Sequence, residues 1–453
     1  PIACVRSDEA SPAAYMLGRF GAVAGHTLRR PLTRWCDGPV GAGPVVPCAS
    51  CIFRASSPCS TVMEYVQERV TTLHALSEPQ PDAPAGRAAV VVPMTEREYG
   101  TLAAERVLTA LETVAPARVV VPLRATPARA GPFAAWLDTF DVDVETLWCD
   151  GPRLADLLAE RGLDGTRGKG RDVWLALGQA LNEEYVVVHD ADTETYSPAF
   201  VRRLLYPVAN GHAFSKGYYA RVEDGALYGR LFRLFFRPLV RALADAHAAP
   251  VLEYLESFRY ALAGEFAATT DLAASLRVQR GWGLEVGTLG EAFHYAGFEE
   301  SAQVDLGRYE HDHRAVSGPT GLADMSRAVG AATLRAVEDA GVDVDYDRLA
   351  ERYRTAATAL VRQYGADAAF NDLSYDPADE RDQVATYAEA IAEPGPDTRL
   401  PAWETAPLSP TEVANAARTD LDSVLDTTAE SASTSTSDPV ARRDGAPTGG
   451  GDR

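Results

Sequence analysis

The sequence predicts an α/β protein built on a buried, largely parallel sheet, and three observations carry that prediction. Between residues 88 and 189 short β-branched runs recur, separated by helical stretches of roughly 10–15 residues, the spacing of βαβ units. The last of these runs ends in a pair of aspartates, and beyond residue 320 the pattern turns helical and then low in complexity. Strands covered by helices on both faces read as continuous apolar runs rather than as alternation, and these runs are continuous.

Taken in order, Pro79–Gly86 has the composition of a linker and leads into a first strand, Ala88–Pro93. A helical pattern follows over Glu98–Val114, then a strand at Arg118–Pro122, a helix near Ala134 and a third strand at Val142–Trp148. Helices over Leu154–Arg161 and Lys169–Leu181 precede a fourth strand, Tyr185–His189. In such sheets ligands sit at the carboxyl ends of the strands, where Asp190 and Asp192 stand. Farther on, His212–Val222 reads as a strand, Leu227–Asp245 as an arginine-studded amphipathic helix, and Ala261–Thr269 as a small-residue strand or turn. Residues 320–342 and 347–366 read as paired helices, and from Ser409 the composition is that of a disordered tail.

Charge and composition exclude several classes. The 453 residues carry a net charge of −21, with only two lysines, Lys169 and Lys216, among 43 basic residues. Nucleic-acid binding wants a basic face and is disfavoured. Dense acidity and lysine scarcity instead suit a salt-rich cytoplasm, where screening suppresses self-repulsion. No apolar run reaches the roughly 20 residues needed to span a bilayer, and no secretory signal pattern opens the chain, so a cytoplasmic protein is expected. Five of six cysteines precede residue 60, and Cys48-Ala-Ser-Cys51 has zinc-ligand spacing without the second half of a zinc knuckle. Residues 1–80 are near charge balance, unlike the rest. The divisions expected are therefore 1–85, a poorly ordered extension or sequence translated from upstream of the native start; 86–318, the catalytic domain; 319–395, a helical extension; and 396–453, a disordered tail.

Four clusters can carry chemistry. In Val186-Val-Val-His-Asp190-Ala-Asp192 an apolar strand delivers two carboxylates onto one loop, a donor set for Mg²⁺ or Mn²⁺ shared with substrate phosphates. A bare Asp-x-Asp is weak alone, since Asp141-Val-Asp143 and Asp343-Val-Asp345 also occur. Gly168-Lys169-Gly170 at a helix start suits an anion, or else is a flexible turn with a solvated lysine. Lys216 on the following strand is open to the same two readings. Gly307-Arg308-Tyr-Glu-His311-Asp-His313-Arg314 sets two histidines beside arginines, a candidate metal ligand or plain surface polarity. Trp282-Gly-Leu-Glu285-Val-Gly287 puts a carboxylate among glycines, suited to sugar hydroxyls or to a helix entry.

In this order the clusters resemble glucosyl-3-phosphoglycerate synthases, retaining glycosyltransferases of the GT-A fold. The resemblance covers about residues 88–335. It includes Pro93–Glu98, Gly168-Lys-Gly with Trp174, the aspartate pair, Gly229-Arg230 with Arg237-Pro-Leu239, Gly264-Glu-Phe-Ala-Ala268, Gly281–Gly287, and Gln303–Gly307 running to His311. It implies a GT-A mixed sheet flanked by helices with a helical C-terminal extension. It also implies a nucleotide-sugar donor held by Pro93, Met94, Thr95, Glu98 and Lys169, with Asp190 beside it, and a divalent cation on Asp192 and His311. Glu285 would bind the transferred sugar. Gly229 and Arg230 would receive the phosphate and carboxylate of D-3-phosphoglycerate, with His313 and Arg314 assisting.

By the same resemblance the enzyme is a homodimer, with Leu227–Asp245 a candidate for acceptor binding and subunit contact, and its product is a compatible-solute precursor. No general base is assigned, because such transfers rest on positioning and charge neutralisation. The chain departs from the pattern at Met94-Thr-Glu-Arg97, Pro122-Leu-Arg124, Ala191, Phe232 and His313; the last two concern the acceptor. Three other readings are open: the same fold with another sugar or acceptor, such as mannosyl transfer or a lipid phosphate; a nucleotidyltransferase, whose glycine loop after the first strand is missing; and a non-enzymatic binding protein.

Overall fold

A computed structural model describes residues 67–310 and 319–435 of the chain. They lie within one compact unit, Tyr65–Arg453. The cysteine cluster before residue 60 falls outside the described residues.

The strands are β1 (Thr71–Leu73), β2 (Ala88–Val91), β3 (Met94–Thr95), β4 (Arg118–Arg124), β5 (Val144–Trp148), β6 (Tyr185–Val188), β7 (Phe214–Ala220), β8 (Val222–Glu223), β9 (Ala226–Leu227), β10 (Phe266–Thr269) and β11 (Ser301–Arg308). Nine form one sheet in the order β1-β11-β7-β10-β6-β2-β4-β3, with β5 also pairing β4; β8 and β9 make a separate hairpin. The run β5-β4-β2-β6 is parallel, as are β7-β11-β1. Only β10 runs the other way, between β6 and β7. The sheet is therefore mixed. Alternate residues of each central strand feed opposite layers, the consequence of a side-chain period of two. Ala89, Val91, Val186 and Val188 face one core, and Ala88, Val90 and Val187 the other.

The helices are α1 (Leu102–Val114), α2 (Pro127–Leu137), α3 (Pro152–Glu160), α4 (Lys169–Ala180), α5 (Ala199–Ala209), α6 (Arg237–Ala244), α7 (Pro250–Ser257), α8 (Thr270–Ser275), α9 (Leu284–Tyr295), α10 (Pro319–Asp339), α11 (Tyr346–Phe370), α12 (Pro377–Ala388) and α13 (Pro410–Ser435). Among the described residues no helix is long and apolar enough to cross a membrane.

Three expectations are corrected. The stretch before residue 86 is not all extension, because Thr71–Leu73 pairs with Ala302–Val304 at one edge of the sheet. Leu227–Asp245 is not one continuous amphipathic helix. It starts in the β9 strand, passes a π-helical turn at Leu231–Phe236, and only then becomes α6. Phe235, Phe236, Leu239 and Val240 are fully buried, so the apolar side of this segment packs into the chain's own core.

The third correction concerns the tail, which is ordered through α13. Its alanines, serines and threonines resemble a disordered segment in composition, yet Val413, Ala417 and Leu421 recur at helical spacing and are buried. Upstream of it, Trp403 stacks on Trp174 at 4.3 Å between ring centroids. Asp420, fully buried, accepts from the backbone N–H groups of Arg153 (3.2 Å) and Leu154 (3.0 Å). It thereby caps α3 from 267 residues away in sequence. The helix's own N-cap, Gly151, has no side chain, and a Cβ there would meet Asp420 Oδ2 at 2.2 Å.

Asp420→Ala leaves buried donors unpaired and should cost about 1–3 kcal/mol of stability. Urea unfolding checks this; a native midpoint would show that α13 is not anchored by its cap.

Candidate active site

The site forms where the carboxyl ends of β2 and β6 meet the start of β10. Because β10 alone runs antiparallel, its first residues lie at the edge where the parallel strands finish, and Phe266 pairs with Val188. That register brings Gly264 and Glu265 beside the aspartate pair. A Cβ on Gly264 would meet Asp190 Oδ2 at 2.5 Å, so only glycine lets the carboxylate lie there.

Lys169, at the first turn of α4, reaches Asp190 Oδ1 at 2.6 Å and Glu285 Oε1 at 3.2 Å. Burial opposes its charge, but the two carboxylates prevail and hold the ammonium well above its ordinary range. Three motifs separated by as many as 116 residues thus join at one nitrogen. The flanking glycines have a packing reason. A Cβ on Gly168 would meet Arg280 O at 2.6 Å, and one on Gly170 would meet Gln279 O at 1.7 Å. The 279–281 backbone lies across the helix start, Arg171 N–H donates to Arg280 O at 3.0 Å, and the crossing carries Glu285 to the lysine. The lysine is therefore not a solvated turn residue, and Glu285 lies in the first turn of α9 as well as in the site.

Asp192 is held differently. Its Oδ1 is buried without a hydrogen-bond partner. Burial first, and then the neighbouring Asp190, push its carboxyl up to about 7. Glu98 adds to this negative field, while its own carboxylate accepts from Thr95 N–H at 2.6 Å and Thr95 Oγ1 at 2.8 Å. After Pro93, the β3 residues Met94 and Thr95 pair with Leu123 and Arg124. An orphaned carboxylate oxygen in a carboxylate-rich, half-buried setting fits a hard cation. Among the described residues no group of three histidine, cysteine or acidic side chains is arranged to hold an ion. His311, His313 and Arg314 lie outside the described residues. Their approach does not: Glu194 N–H donates to Glu310 O at 2.8 Å, and Thr195 Oγ1 to Arg308 O at 3.0 Å. The loop after the aspartate pair is therefore stitched to Arg308 and Glu310, just before His311 in the sequence.

Arg230 follows Gly229, whose φ of +76° is the left-handed region glycine favours. Gly229 lies against Tyr260, whose ring packs on Tyr219, itself stacked on Tyr309 at 3.9 Å. An aromatic ladder thus joins Arg230's backbone to the carboxylate centre.

No family model matches the chain. Over 391 residues it is 34% identical to the glucosyl-3-phosphoglycerate synthase of Methanococcoides burtonii, an alignment that takes in 76% of this chain and 94% of that relative. The chain belongs to the glucosyl-3-phosphoglycerate synthase family. It is 36% identical over 272 residues to the synthase of Persephonella marina, 56% of this chain and 67% of that protein. Among solved structures, the glucosyl-3-phosphoglycerate synthase of Mycobacterium tuberculosis in complex with Mn²⁺, UDP-glucose and phosphoglyceric acid is 26% identical and covers 61% of this chain and 89% of that one, with a TM-score of 0.47. As a member of this family the protein is a glucosyltransferase.

Two further residues lie at this centre: Glu265, which the sequence did not single out, and Lys216, which it did and which is neither solvated nor in a turn. Glu265 is buried, and burial together with Asp190 pushes its carboxyl up to about 7. It accepts from the Tyr309 hydroxyl, and Thr193 Oγ1 donates to Tyr309 Oη. Tyr309 therefore ties the loop carrying Asp192 to the exit of β11. The signal for Glu265 was its place in Gly264-Glu-Phe-Ala-Ala268, a strand start hidden behind small residues. Lys216 is fully buried, donates to the Ala263 carbonyl, and is pushed down to about 8 by burial.

The raised carboxyls set a pH dependence. A carboxyl raised from about 4 in the unfolded chain to about 7 when folded favours the folded state at low pH and loses that contribution as pH rises between those values. In chelator, Asp192→Asn should therefore flatten the decline in Tm between about pH 4 and pH 7, read by thermal scans. Parallel wild-type and variant curves would remove Asp192 as the source.

Proposed function

We propose that the enzyme transfers a glucosyl group, with retention, from UDP- or GDP-glucose to D-3-phosphoglycerate, using Mg²⁺ or Mn²⁺ at Asp192 and His311. The observation that carries this reading is the junction of Lys169, Asp190 and Glu285 beside the unpartnered Asp192 oxygen. A bound divalent cation would neutralise the leaving diphosphate. The second ligand is supported by the hydrogen bond from Glu194 N–H to the carbonyl of Glu310, the residue that precedes His311.

The chain's own residues do the rest by positioning. Lys169 carries a charge that its two carboxylates secure at any working pH, so it can turn toward a donor phosphate without deprotonating. Glu285, on the first turn of α9, accepts from hydroxyls of the glucosyl group, and Asp190 lies between it and Asp192 in the chain of charges. Pro93, Met94, Thr95 and Glu98 line the donor side at the end of β2, where the Glu98 carboxylate keeps Thr95 folded inward. Gly229 and Arg230 take the acceptor, with His313 and Arg314 assisting. No side chain is assigned as general base. The acidic, lysine-poor composition supports a cytoplasm of high salt, and the enzyme acts there as a homodimer making a compatible-solute precursor.

Release of nucleoside diphosphate tests the reading. Each donor is crossed with and without 3-phosphoglycerate, in Mg²⁺ and in chelator. Turnover is expected only with both substrates and metal. Asp192→Ala should lower kcat by at least about a hundredfold, whereas chelator-insensitive turnover would sink the metal assignment. Arg230→Ala should raise the KM for 3-phosphoglycerate about tenfold, the loss of one charge-assisted contact, with the donor KM unmoved.

A further inference from the structure

Arg230 is engaged by the C-terminal helices. Its Nε donates to Glu380 Oε1 at 2.9 Å, and its Nη2 to Asp379 Oδ2. Both carboxylates stand in the first turn of α12, about 150 residues downstream. They differ in kind. Glu380 is buried and shared: Arg233 donates to its Oε2 at 3.0 Å and to its Oε1 at 3.3 Å. Arg233 is itself buried and bound to the carbonyls of Tyr228 (2.9 Å) and Leu227 (3.2 Å), so the Arg233–Glu380 pair is a fixed frame. Asp379 is 55% exposed and holds only the outer edge of Arg230.

The charges explain why the two should act differently. Two arginines against two carboxylates make a cluster of no net charge, which gives a polyanion little reason to dock. Removing Glu380 would strand two cations, one of them buried, whereas releasing Asp379 costs little, because an exposed ion pair is weak and solvent takes its place. Asp379 also stands at a helix start, where an anion is stabilised without the arginine, and its N–H is capped by Asp376. Once Asp379 swings away, Arg230 keeps its plane through Glu380 and gains a free edge with one net positive charge beside it.

We propose that α12 belongs to the acceptor site: Glu380 is a positioning residue that fixes Arg230, and Asp379 is a competing anion that the acceptor's carboxylate or phosphate must displace from it. This rests on Arg230 receiving the acceptor. It gives the helical extension a part in choosing the acceptor, because only an anion that binds the guanidinium better than a tethered aspartate opens the site.

Steady-state kinetics with 3-phosphoglycerate and the donor that turns over test it. Asp379→Asn should lower the acceptor KM about two- to fivefold, the range an exposed ion pair is worth, and leave the donor KM alone. Asp379→Glu should restore the wild-type value. Glu380→Gln should raise the acceptor KM about tenfold without moving the donor KM, a split that general loss of structure would not give. An unchanged or higher acceptor KM in Asp379→Asn overturns the competition, and equal rises in both KM values for Glu380→Gln overturn the positioning role. If Arg230→Ala itself leaves the acceptor KM unmoved, the acceptor assignment fails and takes this inference with it. If Arg230→Ala raises that KM while Asp379→Asn changes nothing, only the role of Asp379 falls.

Discussion

The ammonium of Lys169, shared between Asp190 and Glu285, is the contact on which the arrangement depends. One carboxylate comes from the end of a sheet strand and the other from the start of a helix on a separate loop. Gathering so many acids at one edge is unfavourable unless some cation neutralises them, since each raises the others' cost of ionisation. The lysine does this for Asp190 and Glu285. Asp192 and Glu265 receive less help, and their carboxyls climb toward neutrality. The contrast separates a settled part of the site, which the folded chain satisfies alone, from an unsettled part that a cation can complete.

The glycines are the second constraint. Gly168, Gly170 and Gly264 each stand where a methyl group would strike a backbone carbonyl or Asp190. They bring the 279–281 segment across α4 and the start of β10 against the aspartate loop. The site is thus built by close backbone approach, and the lysine–carboxylate contacts follow from it.

Much of this was legible in the sequence because buried parallel strands leave a continuous apolar trace, and because Asp190, Lys169 and Glu285 each stood at an element boundary. What was hidden depends on partners far along the chain. Glu265 sits among small residues that read as a turn. Only the antiparallel insertion of β10 puts it beside Asp190. The α13 helix has a weak apolar stripe whose anchor, Asp420, is a charged residue satisfied by another helix. Glu380 reads as a surface acid on a polar helix until Arg230 and Arg233 are folded against it. Composition judges a segment by what it contains, whereas burial here is decided by what it meets.

The pairing pattern has a consequence for synthesis. Strands β2, β4 and β5 can associate as they emerge, but β6 lacks its second neighbour until β10 is made, and β1 waits some 230 residues for β11. Long-range pairing of this kind is slow and leaves apolar edges unprotected meanwhile. Since α13 must also reach back to cap α3, the fold stays incomplete until Asp420, 267 residues beyond Arg153, has been made. A cell making this enzyme therefore has reason to shield its half-built sheet with chaperones.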